Sequence, residues 1–282
     1  MGCEHDCSSC SANCQTKNKE SFIVETNKRN TIKKIIAIHS GKGGVGKSFV
    51  TCMLANVLAK KGYKVGILDA DITGPSVPTA FGVKDNLVGD GEMMFPAITK
   101  NGIKIVSINL LMDDKTQPVA WRGPVVGGAI KQFYQDALWE EVDYLLVDMP
   151  PGTGDVALTV FQSLPVDGVV IVSTPQDLVS MIVGKAVNLA KMMKIKIVGL
   201  VENMAYMNCA CCGNPIYPFG PSKLNDVANE FSINALASLP IDPTLNQKID
   251  KGLIEEIDYP YLENVVNALE NLGKKKLDKN LF

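Results

Sequence analysis

The sequence predicts a doubly wound α/β fold with a mostly parallel sheet. Three observations carry that expectation. Short apolar runs recur along the chain and are apolar nearly throughout, as strands buried on both faces must be. Longer mixed runs with helical spacing separate them. One glycine-rich turn, SGKGGVGKS at residues 40–48, follows the first run and opens the first helical pattern, where parallel α/β sheets place their ligand loops.

The apolar runs are IIAIHS, KVGILDAD, GIKIVSINLL, DYLLVDMP, GVVIVSTP and IKIVGLVENM. Helical patterns fall at about residues 47–61, 124–138, 155–163, 178–193 and 223–231. A last helix opens at Pro260, because proline pre-sets the first helical φ, and an amphipathic repeat follows it. Residues 1–31 stand apart. The first 14 hold four cysteines without apolar periodicity, and residues 15–31 are polar and read as a linker. Residues 32–282 then form one domain, with a C-x-x-C loop near 209–212. No internal repeat is present.

Of the 282 residues, 46% are hydrophobic and 21% charged, enough for a sizeable core. A net charge of −2 offers no footprint for nucleic acid. The basic run GKKKLDK, from Gly273, reads as a solvated tail. No segment approaches the ~20 apolar residues of a membrane helix. The N-terminus lacks the apolar core of a secretory signal. The expected location is the cytoplasm, where the eight cysteines stay reduced and favour metal or redox chemistry over disulfides.

Gly41-x-x-x-x-Gly46-Lys47-Ser48 matches the phosphate-binding P-loop in its strand–loop–helix context. Gly41, Gly43, Gly44 and Gly46 let backbone N–H groups, including that of Val45, turn inward around phosphate oxygens. The helix N-terminus at Lys47, Ser48 and Phe49 adds partial positive charge. Lys47 reaches the β- and γ-phosphates of ATP, and the Ser48 hydroxyl ligates Mg²⁺. Acidic partners belong at other strand ends. Asp148 ends YLLVD and orients Mg²⁺ through water. Asp69 and Asp71 end GILDAD, and one of them can position the attacking water. Lys42 exceeds what a P-loop needs.

With its early lysine, GKGGVGKS resembles the deviant Walker A motif of the MinD/nitrogenase-reductase superfamily. LDADITGPSVP, WRGP, DMPPGTGD and a C-x-x-C after ENM together resemble the Mrp subgroup of iron–sulfur cluster carrier ATPases. The resemblance runs over roughly residues 33–265, with the motifs in the family's order. It implies that Lys42 crosses a homodimer interface to the partner's nucleotide and that Asp71 is the hydrolytic acid. It also implies that Asn203 and Asp242 lie near the adenine, with Asp148 on the switch II side. A lysine supplied by the second subunit would make hydrolysis depend on dimer closure, as arginine fingers do.

Cys209 and Cys212 form a C-x-x-C in a Gly/Pro/Asn-rich stretch. Local spacing leaves an iron–sulfur cluster, zinc and a redox pair open. Two thiolates complete neither a tetrahedral zinc site nor a four-cysteine cluster, and a two-fold dimer would supply the other two. The resemblance implies a [4Fe–4S] cluster there. Cys211 is a spare or alternative ligand, and Cys52 a small buried hydrophobe. Cys3, Cys7, Cys10 and Cys14 suggest a metal-ordered module, with His5 as a substitute ligand. A second cluster, zinc and a reduced tail all remain open for it. His39 reads as structural.

The leading function is therefore transfer of iron–sulfur clusters to recipient apo-proteins, with slow, switch-like ATP hydrolysis coupled to a homodimer's conformation. The alternative is a MinD/ParA-like positioning ATPase acting on membrane or DNA, which has no use for Cys209 and Cys212. A nitrogenase-reductase-like electron donor would need a cysteine in DMPPGTGD, which has none.

Overall fold

Alternation along the central strand sets the layers. In the first apolar run, Ile35 and Ala37 point to one side of the sheet, Ile36 and Ile38 to the other, and all four are buried. The computed structural model describes residues 23–71, 76–112, 123–176 and 179–273. In chain order these form β1 (Thr31–His39), α1 (Lys47–Lys60), β2 (Val65–Asp69), α2 (Val77–Ala80), β3 (Val88–Gly89), β4 (Met94–Phe95), β5 (Ala97–Ile98) and β6 (Lys104–Ser107). Next come α3 (Gly123–Asp136), β7 (Glu141–Asp148), α4 (Asp155–Ser163), β8 (Gly168–Ser173), α5 (Val179–Met192), β9 (Ile197–Asn208) and β10 (Pro215–Ile216). The chain then continues through α6 (Leu224–Phe231), β11 (Ala235–Pro240), α7 (Pro243–Asp250) and α8 (Glu263–Glu270).

Among the described residues the main sheet has nine strands, ordered β10-β9-β8-β1-β7-β2-β6-β5, with β11 also on β9. Its body is parallel, and β5 and β10 add antiparallel edges. Helices α3, α4, α5 and α6 cover the face of Ile35, Leu145 and Ile171. Helices α1 and α8 cover the face of Ile36, Leu146 and Val170. This is the doubly wound architecture expected, and every apolar run contributes a strand.

Some details differ from the sequence reading. GIKIVSINLL stops pairing at Ser107 and turns through a 3-10 segment at Ile108–Leu111. The helix at Pro260 begins as a 3-10 turn, Pro260–Leu262, before α8. Residues 24–30 lie against the domain: the Val24 N–H donates to the Ser163 carbonyl at 2.8 Å, and the Thr26 hydroxyl to the Tyr134 carbonyl at 3.1 Å. Cys3, His5, Cys7, Cys10 and Cys14 fall outside the described residues, as do Trp121 and Arg122 of WRGP. No helix among the described residues is long and apolar enough to cross a membrane.

Candidate functional site

The carboxyl ends of β1, β2 and β7 converge beside the glycine-rich loop. β1 delivers Ser40 and the loop, β2 ends at Asp69, and β7 ends at Asp148. Two contacts hold the loop's start: Ser40 Oγ donates to the Lys42 carbonyl, and the Gly152 N–H donates to the Ser40 carbonyl, each at 2.8 Å. Gly46 has φ 76°, left-handed, and an added Cβ would meet Asn203 Nδ2 at 2.2 Å. Gly41 is constrained by proximity, since its Cβ would lie 2.2 Å from the Ile182 carbonyl oxygen. The loop then opens α1, whose first-turn N–H groups have no acceptor inside the helix.

Lys47 is buried and places Nζ 2.8 Å from Asp148 Oδ1 and 3.5 Å from Asp71 Oδ2. Ser48 Oγ donates to Asp148 Oδ2 at 2.5 Å. Thr51 Oγ1, one turn further along α1, donates to Asp148 Oδ1 at 2.8 Å. Sequence reasoning missed Thr51; its signal is the four-residue spacing that stacks it on Lys47. Hard oxygen donors at Ser48 and Asp148, next to a buried ammonium and a glycine cradle, fit a magnesium nucleotide.

The two acids of GILDAD part company. Asp69 pairs in register with Asp148 across β2 and β7 and accepts from Ser107 Oγ at 2.8 Å. Burial, and then the charge of Asp148, push its carboxyl up to about 8. Asp71 sits at the rim of the loop's cleft, with Ser76 and Pro151. His39 is buried beneath the loop, edge-on to Phe161, and neither ring nitrogen has a partner among the described residues. Burial, then the charge of Lys47, hold it down at about 4. Cys52 is fully buried in α1, and burial raises its thiol. Lys42 Nζ donates to Gln176 Oε1 of the same chain.

A second cleft, of about 330 Å³, shares Gly46 and Phe49 with the first and extends it away from Lys47. Asn203, Met204, Phe219, Ile241, Asp242 and Leu245 help to line it. Asn203 Nδ2 donates to the Val45 carbonyl at 2.9 Å, and Asp242 caps α7 by accepting from the Thr244 N–H at 2.8 Å. Both residues thus line a cleft that continues from the glycine-rich loop.

β9 runs past Asn203 to the cysteines. Its last residues pair with β10, and the Cys209 N–H donates to the Asn214 carbonyl at 2.9 Å. Cys209 is half-buried at the hairpin tip, with Cys211 and Cys212 exposed. Backbone N–H groups of Cys211 and Cys212, then the Cys212 thiol, hold the Cys209 thiol below its usual range. Among the described residues no three Cys, His, Asp or Glu side chains gather into a metal-holding group.

A family model described as "ParA: NUBPL iron-transfer P-loop NTPase" matches residues 31–273. The iron–sulfur cluster carrier protein of Clostridium perfringens is 46% identical over 258 residues, covering 89% of this chain and 90% of that one. That of Methanocaldococcus jannaschii is 42% identical, covering 89% of each. The nucleotide-binding protein of Archaeoglobus fulgidus, solved with ADP, superposes with a TM-score of 0.73 at 42% identity, covering 86% of this chain and 93% of that one. The MinD cell-division ATPase of Pyrococcus furiosus, at a TM-score of 0.58 and 20% identity, covers 85% of this chain and 99% of that one and shares the fold alone. With a match over most of its length and relatives above 40% identity, the chain belongs to the iron-transfer P-loop NTPase family.

Proposed function

We propose that this chain is a homodimeric ATPase that binds a [4Fe–4S] cluster at Cys209 and Cys212 and hands it to recipient apo-proteins. The observation that carries the reading is the hairpin: the strand that brings Asn203 to the nucleotide cleft leads straight into the cysteine pair at the tip, Cys209 half-buried and Cys212 exposed. The carrier relatives support the cargo. Each chain offers two thiolates, and a second copy about a two-fold axis supplies the rest of a four-cysteine set.

In this reading the loop from Gly41 to Phe49 wraps the phosphates, with Lys47 on the β- and γ-oxygens. Asn203 and Asp242 flank the base. Ser48 and Asp148 would hold Mg²⁺, which would neutralise charge on the phosphates. Asp71, at the rim, orients the attacking water. Asp69, buried and turned to Ser107, keeps the strand ends in register. Lys42 exchanges Gln176 for the partner's nucleotide when the dimer closes, which links hydrolysis to the same assembly that holds the cluster.

Anaerobic reconstitution of the full chain with iron and sulfide tests the reading. Mössbauer spectra should show one [4Fe–4S] centre per dimer that survives Cys3, Cys7, Cys10 and Cys14→Ser and disappears in Cys209→Ser/Cys212→Ser. Iron and sulfide no higher than in that double variant would overturn it, and zinc retained in their place would make the pair a zinc site. The positioning alternative would return if ATP drove the protein onto liposomes or DNA.

A further inference from the structure

Nucleotide cleft and cysteine hairpin share walls. Met204 comes from the outgoing arm of the hairpin and Phe219 from the returning arm, and both line the second cleft opposite Phe49. Met204 has φ 57°, a left-handed conformation unusual for an unbranched apolar side chain, and it bends β9 between Asn203 and the cysteines. Pairing of β9 with β11 shifts register there, and the Ile241 N–H donates to the Tyr206 carbonyl at 2.6 Å.

The neck of the hairpin is closed by one side chain. Glu202 is 2% exposed. Its carboxylate accepts from Ser222 Oγ at 2.5 Å and from the Lys223 N–H at 3.0 Å, where the returning arm enters α6. Ser238 Oγ of β11 lies 3.5 Å from the same group. The two ends of segment 203–221, which carries the cysteines, are therefore joined at this clamp. Beyond the clamp the outgoing arm is held to β11 as far as Tyr206, and past that residue the described contacts of the hairpin are the short β10 pairing, its own turns and the cleft wall.

From this arrangement we infer that the base half of the nucleotide, not its phosphates, sets the posture of the cysteine hairpin, with Glu202 as the positioning residue that makes the two arms respond together. The inference rests on the second cleft being the base site. A planar base seated against Phe49, Met204 and Phe219 ties both arms to the P-loop side of the cleft. Without a base, the outgoing arm keeps its ties to Val45 and to β11, and the returning arm loses the bridge to Phe49. Ligands shift such an element only through differential contacts with its two postures, and the base has those contacts while the phosphates do not. The coupling acts within one subunit and needs no closed dimer.

The test uses the full-length, metal-free, reduced chain and follows alkylation of Cys209 and Cys212 by iodoacetamide, resolved by mass spectrometry. Saturating Mg·ADP or adenosine should change both rates by about three-fold or more, while Mg·tripolyphosphate, which fills only the phosphate loop, should leave them nearly unchanged. Hydrogen exchange in the backbone of residues 207–213, which do not line the cleft, should follow the same ranking. Equal effects of tripolyphosphate and ADP would overturn the inference, as would unchanged rates with ADP demonstrably bound. Absence of ADP binding would overturn it together with the base site. Glu202→Gln should hold ADP affinity within about two-fold and lose the contrast between ligands. If that variant does not fold, Ser222→Ala, which removes one donor, should weaken the contrast. A contrast undiminished in whichever variant folds overturns the clamp. No iron is present, so failure of cluster binding and failure of this coupling give separate results.

Discussion

The Lys47 ammonium lies 2.8 Å from the Asp148 carboxylate, and both side chains are buried. Removing one member of a buried pair strands the other's charge, at a cost of about 3 kcal/mol or more. Lys47→Ala should therefore weaken ATP binding, seen by calorimetry, and also lower the midpoint of urea unfolding. Lys47→Ala/Asp148→Asn should regain most of the stability and none of the binding. A double variant as unstable as the single one would contradict the pairing.

Lys42 bonds Gln176 rather than any group of its own phosphate site. Lys42→Ala should keep nucleotide affinity within a few-fold and lower hydrolysis by about 10³-fold, the lower end for a charge supplied across an interface. Turnover in wild type should rise with protein concentration, and the variant should lose that dependence. Matching losses of affinity in Lys42→Ala and Lys47→Ala would exclude the cross-dimer role.

His39 makes stability sensitive to acid. Its folded pKa of about 4 lies below the ordinary 6.5. Between those values the unfolded chain binds more protons, so stability is full above about 6.5 and falls as pH drops toward 4. The loss amounts to about 3 kcal/mol. Asp69, pushed to about 8, adds a slope of opposite sign from about 4 to 8, because there the folded state holds the extra proton. Urea titrations across pH 4–7 should show that His39→Leu flattens the acid limb relative to wild type, with little change at neutral pH.

Gly46→Ala combines a left-handed φ with a Cβ 2.2 Å from Asn203 Nδ2. Asn203 must move, taking its bond to the Val45 carbonyl with it. ADP binding should fall by about 10-fold or more, while an isolated left-handed alanine would cost only about 1 kcal/mol of stability. Asn203→Ala/Gly46→Ala should restore the loop, detected as recovered inorganic triphosphate binding.

Much of the phosphate site was legible in the chain because its residues act locally. The glycines, Lys47 and Ser48 belong to one loop, and Asp148 ends an apolar run whose placement follows from the parallel sheet. Asp69 and Asp71 could not be separated by pattern. Only the register of β2 against β7, and the Ser107 hydroxyl from β6, send the first inward and leave the second at the rim. Thr51 and Glu202 were missed for a related reason: their partners, Asp148 and Ser222, are chosen by tertiary placement. β11, ALASLP, lacks the β-branched residues that mark a strand, and α7 buries none of its residues, so neither carried a periodic signal.

The central strand has a consequence for biosynthesis. β1 carries the buried run Ile35–Ile38, yet its partners are β7, roughly 110 residues later, and β8 beyond that. At translation rates of about 5–20 residues per second, an apolar strand with two open edges waits on the order of 5–20 s for its first neighbour. Lys47 likewise waits about 100 residues for Asp148. Nascent chains that stop before β7 should depend on holding chaperones, and their yield should fall steeply when those are withdrawn.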